Sequence, residues 1–368
     1  MVYALINATV FTGKEKTTGK VILIENNKII ELADPGSVPS NAKTVDCNGY
    51  FISPGLIDLQ IAGGGGFLFS ENPTEKALEA ITESILKDGT TGFLIAVPSN
   101  SFDAYLNLFK VLKQNPHPAI LGLHLEGPYI NIVRGGAHNR KYIKKPDKNE
   151  IKELLDAADG AVKMITLAPE LCGPDIINTI TDYGIVVAAG HSNATFDEAR
   201  AGFEWGIKAT THLFNAMSQF HHREPGLPGA TLITEGIYAS IIADGIHVDY
   251  NTISIAKKIM KNRLYLVSDA VEENLEGAYL HTRQKDRFTL PDGTLSGSNL
   301  TMLEAVQNCV QSVGVEVEEA LRMASTYPAQ LIGLDNSGYI SEGYIANLTV
   351  FDEFYKARQV IIEGEFYL

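Results

Sequence analysis

The sequence predicts an α/β protein: a (β/α)8 barrel carrying a small β domain built from both chain ends. Three observations point there. Short apolar runs rich in β-branched residues alternate with helical patterns through the middle of the chain, eight times over. The two ends instead turn quickly, with Gly- and Asn-containing turns between alternating segments, as paired strands do. The length, 368 residues, suits one large barrel plus an appendage. The expected boundaries are 1–53 plus 340–368 for the small domain and 54–339 for the barrel. A doubly wound open sheet is the alternative, because a one-dimensional pattern does not show closure.

The elements follow in order. "YALINATVF", "GKVILIENNKIIEL" and "AKTVDCNGYFIS" read as short strands, with Asn26-Asn27 between Ile22, Ile24, Ile29 and Ile30 as a hairpin turn. The barrel strands are expected at "FISPGLIDLQI", "GFLIAV", "AILGLHLEG", "VKMITLAPE", "GIVVAAGHS", "IKATTHLFN", "YASIIADGIH" and "RLYLVSDAV". Helices fall between most of them. In "NPTEKALEAITESILKDG" Ala77, Leu78, Ile81, Ile85 and Leu86 share a face, with Asn72 as the expected cap and Pro73 at the first position. "SFDAYLNLFKVLKQN", "NEIKELLDAAD", "PDIINTITDYG", "TFDEARAGFEWG" and "NTISIAKKIMK" follow, and "NLTMLEAVQNCVQSVG" comes after the eighth strand. The link between the sixth and seventh strands shows no good helix. "GYISEGYIANLTVFDEFYKARQVIIEGEFYL" returns to strand-like texture.

Composition narrows the class. With 45% hydrophobic and 20% charged residues this is a globular protein with a large core. A net charge of −14 argues against nucleic acid or anionic membrane as partner, though not against a local anion pocket. Three widely spaced cysteines, Cys47, Cys172 and Cys309, make neither a disulfide framework nor a zinc cluster. The N-terminal segment reads as a strand rather than a leader, and no apolar run is long enough to span a membrane, so a cytoplasmic location is expected.

The polar residues of the strands are not scattered. Gln60, Glu126, Glu170, His191, His212, His247 and Asp269 all fall at or just past C-terminal strand ends. In a barrel those ends share one rim, where active sites lie. Any one of them alone would more often be a satisfied core polar group; seven together mark a site. Glu126, His191 and His212 form a donor set suited to a catalytic zinc ion, which would activate water and polarise a carbonyl. Asp269 is then a candidate base, returning its proton to a leaving amine.

These residues sit in recognisable motifs. "PGLIDLQ", "HLEGPY" with "GGAHN", "AGHSNAT", "THLFNAM" with "HHREPG", "ADGIHV" and "VSDA" together resemble the N-acetylglucosamine-6-phosphate deacetylases of the amidohydrolase superfamily. Motif order and spacing agree from about Pro54 to Ser298, and both terminal segments are similar as well. The resemblance implies a distorted TIM barrel with a β-sandwich domain formed by both termini. It implies hydrolysis of N-acetyl-D-glucosamine 6-phosphate to glucosamine 6-phosphate and acetate. It implies Glu126, His191 and His212 as ligands of one divalent metal per subunit, with zinc expected and iron, cobalt or manganese chemically admissible. It implies Asp269 as the catalytic acid/base and His138 beside the acetamide carbonyl. Substrate contacts are implied for Ala137, His138, Asn215, Ala216, Arg223, His247, Leu295, Ser296 and Gly297. An Arg at the position of Arg223 reaches the neighbouring subunit in relatives, which implies a homodimer.

Gln60 and Ala62 stand where many amidohydrolases carry the His-x-His pair of a second metal. An amide oxygen is a poor zinc ligand and a methyl group is none, so a single metal is expected, with Gln60 hydrogen-bonded across the barrel mouth. Gly63–Gly66 is either an anion-binding turn or a flexible turn into "FLFSENP". Glu170 is expected in a structural hydrogen bond, and the run Arg140–Lys148 in a solvated loop. His117 and His281 are expected at the surface. Other readings are a deacetylase of N-acetylgalactosamine 6-phosphate, a cyclic amidase, or a sugar-phosphate-binding barrel without chemistry.

Overall fold

A computed structural model describes residues 1–367. Its centre is a sheet of eight parallel strands in chain order: β1 (Leu56–Ile61), β2 (Thr90–Pro98), β3 (Ile120–Glu126), β4 (Val162–Leu167), β5 (Val186–Ala189), β6 (Ala209–Thr210), β7 (Tyr238–Ile241) and β8 (Leu264–Leu266). The ring is nearly closed. Between β8 and β1 there is no continuous ladder, only the bridge Ile61 to Ala270, with Asp269 N–H donating to Gln60 O at 3.0 Å and Ala62 N–H to Ala270 O at 2.9 Å. The Asp58 carboxylate completes this seam by accepting from the amides of Gln60 and Ser268, each at 3.1 Å. Burial pushes Asp58 up to about 7, although the amides it accepts from pull the other way. The barrel prediction therefore holds, and the distortion lies at one seam.

Alternation along β3 sends His124 and Glu126 to the same side. His124 lies deeper: its Nδ1 donates to Leu59 O at 2.9 Å, and its Nε2 accepts from Thr166 Oγ1 at 2.7 Å, itself 2.6 Å from Thr211 Oγ1. This polar layer is fully partnered and carries the floor of the site.

The chain ends form two further sheets. One holds Lys28–Ala33, Val21–Glu25, Val2–Ile6 and Lys43–Asp46 in that spatial order. The other is six-stranded and places Leu348–Phe351 beside Phe51–Pro54, so that the C-terminus completes a sheet begun at the N-terminus. Leu5, Ile22, Ile24, Ile52, Leu348 and Ile361 pack between the two. Asn26 takes the left-handed turn conformation, φ 55°, as the Asn-Asn hairpin requires.

Three local expectations are corrected. "FISPGLIDLQI" is two strands in two sheets, broken at Gly55, where an added Cβ would lie 2.0 Å from Thr91 Oγ1. The helix after β1 runs Glu75–Lys87 and is capped by Thr74, whose hydroxyl accepts from Ala77 N–H; Asn72 and Pro73 precede it. The link between β6 and β7 does contain a helix, Gly226–Ile233. Its residues are apolar almost throughout and Gly226 to Leu232 are buried, so it has no polar face to mark a period. The glycine run is a packed turn rather than a flexible one: Gly63–Gly64 pairs with Phe67–Leu68, and a Cβ on Gly65 would lie 2.4 Å from Ala80 O.

Candidate active site

The strand ends turn sharply into the site. His191, His212 and Asp269 take positive φ values of 46°, 34° and 54°, which non-glycine residues rarely adopt. Such backbone is held by its surroundings and tends to occur at functional sites. Here His212 N–H is bound by Ser240 Oγ at 2.7 Å, and Asp269 N–H by Gln60 O.

Glu126, His191 and His212 are buried and converge. Glu126 Oε1 lies 3.2 Å from His191 Nε2 and 3.0 Å from His212 Nε2, and the two imidazole nitrogens are 3.1 Å apart. These three form a cluster whose ligand atoms all lie within 4.8 Å of one another. Chemistry supports a cation between them. His191 Nδ1 must donate to the Arg134 carbonyl at 2.9 Å, which leaves the Nε2 lone pair facing the cluster, as a metal ligand requires. Without a cation, burial alone would raise Glu126, but imidazolium N–H groups of His191 and His212 outweigh it and hold the carboxyl well below its ordinary range; with a cation between them the same nitrogens would present their lone pairs instead. His212 Nδ1 is buried and has no hydrogen-bond partner among the described residues, while its Nε2 faces Glu126 and His191. The residues present fit a divalent cation held by one carboxylate and two imidazoles.

Gln60 lies at the centre of the site. Its Nε2 donates to Asp269 Oδ1 at 2.8 Å and to Glu126 Oε1 at 3.1 Å. Burial and the nearby negative charge of Glu126 push Asp269 up to about 6. A carboxyl poised there suits proton exchange near neutral pH.

Above these groups opens a cavity of about 270 Å³. Ala137, His138, Asn215, Ala216, His247, Leu295, Ser296 and Gly297 all line it, as do Glu126, His191, His212 and Asp269. His247 is fastened by Asp244, whose carboxylate lies 2.6 Å from Nδ1. His138 meets Ser99 through Nδ1 and is pushed down to about 3, chiefly by burial, so its imidazole is neutral. Arg223 is not brought in. It is exposed, and its Nε donates to His222 Nε2 at 3.1 Å. Glu170 accepts from Asn131, Ser192 and the Asn193 amide, a structural role beside His191.

One expectation about the wall is overturned. His281 is not a surface group: it is buried, lines the cavity and contacts Ser296 Oγ through Nδ1 at 3.0 Å. Burial pushes it down to about 4. It sits on a segment that pairs Thr282–Arg283 with Phe288–Thr289 and folds back over the barrel mouth. Sequence reasoning also passed over Tyr279, on the same segment, and Ser99. Only Ser99, a polar residue just beyond β2, carried a signal of the kind used for the other strand ends.

The fold and the clustered donor set define a metal-dependent hydrolase barrel. The chain belongs to the amidohydrolase family, whose sequence profile matches residues 51–366. Within that family it is similar to the N-acetylglucosamine-6-phosphate deacetylase of Haemophilus influenzae, 34% identical over 99% of each chain, and to the human protein of that name, 35% identical over 87% of this chain and 84% of the other. The crystal structure of the Pasteurella multocida N-acetylglucosamine-6-phosphate deacetylase superposes with a TM-score of 0.96 at 36% identity, covering all of both chains. A mutant of the Mycobacterium smegmatis N-acetyl-D-glucosamine-6-phosphate deacetylase, in complex with N-acetyl-D-glucosamine-6-phosphate, superposes at 0.90 and 27% identity, covering 100% of this chain and 98% of the other.

Proposed function

We propose that this protein hydrolyses the acetamide of N-acetyl-D-glucosamine 6-phosphate to D-glucosamine 6-phosphate and acetate, in amino-sugar catabolism. The observation that carries the reading is one cavity in which the Glu126–His191–His212 cluster, Asp269 and His138 meet. The chain resembles deacetylases of that name over nearly its full length.

A single divalent cation per subunit, zinc by its donor set, would be held by Glu126, His191 and His212 and would supply Lewis acidity toward water and the amide carbonyl. The chain's own residues do the rest. Asp269 takes a proton from the attacking water and delivers it to the departing amine nitrogen as the C–N bond breaks. Gln60 orients that carboxylate. His138 faces the acetamide oxygen. Ala137, His247 and the Leu295–Gly297 segment bound the sugar, and Asn215 and Ala216 receive the phosphate. Arg223, exposed on its own subunit, serves the phosphate of a neighbouring subunit in a homodimer. Residues 54–339 carry the chemistry, and 1–53 with 340–368 form the accompanying sandwich. No helix among the described residues is long and apolar enough to cross a membrane, and we place the enzyme in the cytoplasm.

The test is acetate release by purified protein, with and without chelator, on N-acetylglucosamine 6-phosphate, its galactosamine epimer and unphosphorylated N-acetylglucosamine. Chelator-sensitive turnover with preference for the first supports the reading. Tight sugar-phosphate binding without turnover in metal-replete protein would overturn it.

A further inference from the structure

We propose that Ser99 is a positioning residue that dictates which nitrogen of His138 carries the proton, so that Nε2–H faces the ligand. The inference rests on the deacetylase reading only for what His138 touches. Ser99 follows directly after β2 and is fully buried. Its backbone N–H donates to His138 Nδ1 at 3.2 Å, and its hydroxyl lies 2.9 Å from the same nitrogen. An amide N–H can only donate, so Nδ1 must present its lone pair. A neutral imidazole then bears its proton on Nε2. The opposite tautomer would set two N–H groups against each other at Nδ1 and turn a lone pair toward the substrate's carbonyl oxygen.

The other nitrogen is free for a ligand. His138 Nε2 is 3.9 Å from Glu126 Oε2, beyond hydrogen-bond range, and the ring lines the cavity. His138 therefore enters the reaction as a donor of fixed direction, distinct from Asp269, which moves the proton.

Ser99 is itself held from two sides. Its carbonyl accepts from the hydroxyl of Tyr279, on the segment that folds over the barrel mouth. Gly127, next to Glu126, leaves room for its hydroxyl: a Cβ there would lie 2.3 Å from Ser99 Oγ. The end of β2, the end of β3 and the segment after β8 thus converge on one imidazole.

The experiment begins with zinc-loaded, full-length protein labelled with 15N-histidine. A long-range 1H–15N correlation spectrum is expected to show His138, assigned by its disappearance in His138→Gln, protonated at Nε2 and bare at Nδ1. In steady-state kinetics, Ser99→Ala is expected to lower kcat by about 5- to 10-fold, the loss of one hydrogen bond, with KM within about 2-fold. In a His138→Gln background the same change should cost nothing further, because Ser99 acts through His138. A protonated Nδ1, a Ser99→Ala kcat within about 2-fold of wild type, or losses that multiply in the double variant would each overturn the proposal. The spectrum is read without substrate. A protein that releases no acetate yet shows the Nε2–H form refutes the deacetylase reading alone, and an active protein with Nδ1–H refutes this inference alone.

Discussion

Replacing Gln60 by Met keeps the side chain's length and removes both of its hydrogen bonds, the 2.8 Å bond to Asp269 and the 3.1 Å bond to Glu126. Because the amide donates, it favours the ionised form of Asp269, and its loss must raise the carboxyl's pKa. A hydrogen bond to a charged acceptor contributes about 1.5–3 kcal/mol. At about 1.4 kcal/mol per unit, that corresponds to an upward shift of about 1–2 units. In the proposed mechanism Asp269 acts as a base only when ionised, so the acid limb of kcat/KM should move to higher pH by that amount. A bound cation lowers the value in both proteins, so the difference between them is the quantity tested. The assay is acetate release across pH for wild type and Gln60→Met, each with its metal content measured. An acid limb that stays in place, with metal content unchanged, would refute the assignment of Gln60 as the group that orients and charges the base.

Three further outcomes follow from the same structure. Glu126→Gln keeps the shape of the cluster but removes its charge, and zinc affinity measured by chelator competition should fall by at least about 10-fold; unchanged affinity would take Glu126 out of the ligand set. Asp58→Asn reports the seam: the carboxyl sits at about 7 in the fold against about 3.9 unfolded, so the folded state holds the extra proton between those values. The wild type's advantage over the variant in urea melts should therefore shrink as pH rises from about 4 to about 7 and level off above; an advantage constant with pH would show that Asp58 does not titrate there. Gly55→Ala places a Cβ 2.0 Å from buried Thr91 Oγ1, and should destabilise by about 1–3 kcal/mol in the same melts; a variant as stable as wild type would refute the close packing of Gly55 against Thr91.

Much of the site was legible because chain direction does the sorting. Once eight strand–helix units close into a barrel, every C-terminal strand end lies on one rim. Polar residues at the ends of apolar runs, Glu126, His191, His212 and Asp269, then had to be neighbours, although up to 143 positions separate them (269 − 126). The helix Gly226–Ile233 was missed for the opposite reason: buried from Gly226 to Leu232, it carries no alternation to read. His281 was misplaced because a segment rich in charge looks solvated. Most of its charged residues do face outward, with Arg283, Lys285 and Asp286 among them, while Tyr279, His281 and Phe288 turn inward.

The sequence by itself determined the eight strand–helix units, the strand character of both termini and the placement of Glu126, His191 and His212 at strand ends, since these follow from periodicity and from the residue types there. Only the tertiary structure decided that the ring of His138 meets Ser99, how Gln60 spans the mouth and which segment forms the wall. Those contacts join residues 39, 66, 180 and 209 positions apart. They depend on the path of irregular loops and on single donor–acceptor geometries, and neither leaves a period in the chain.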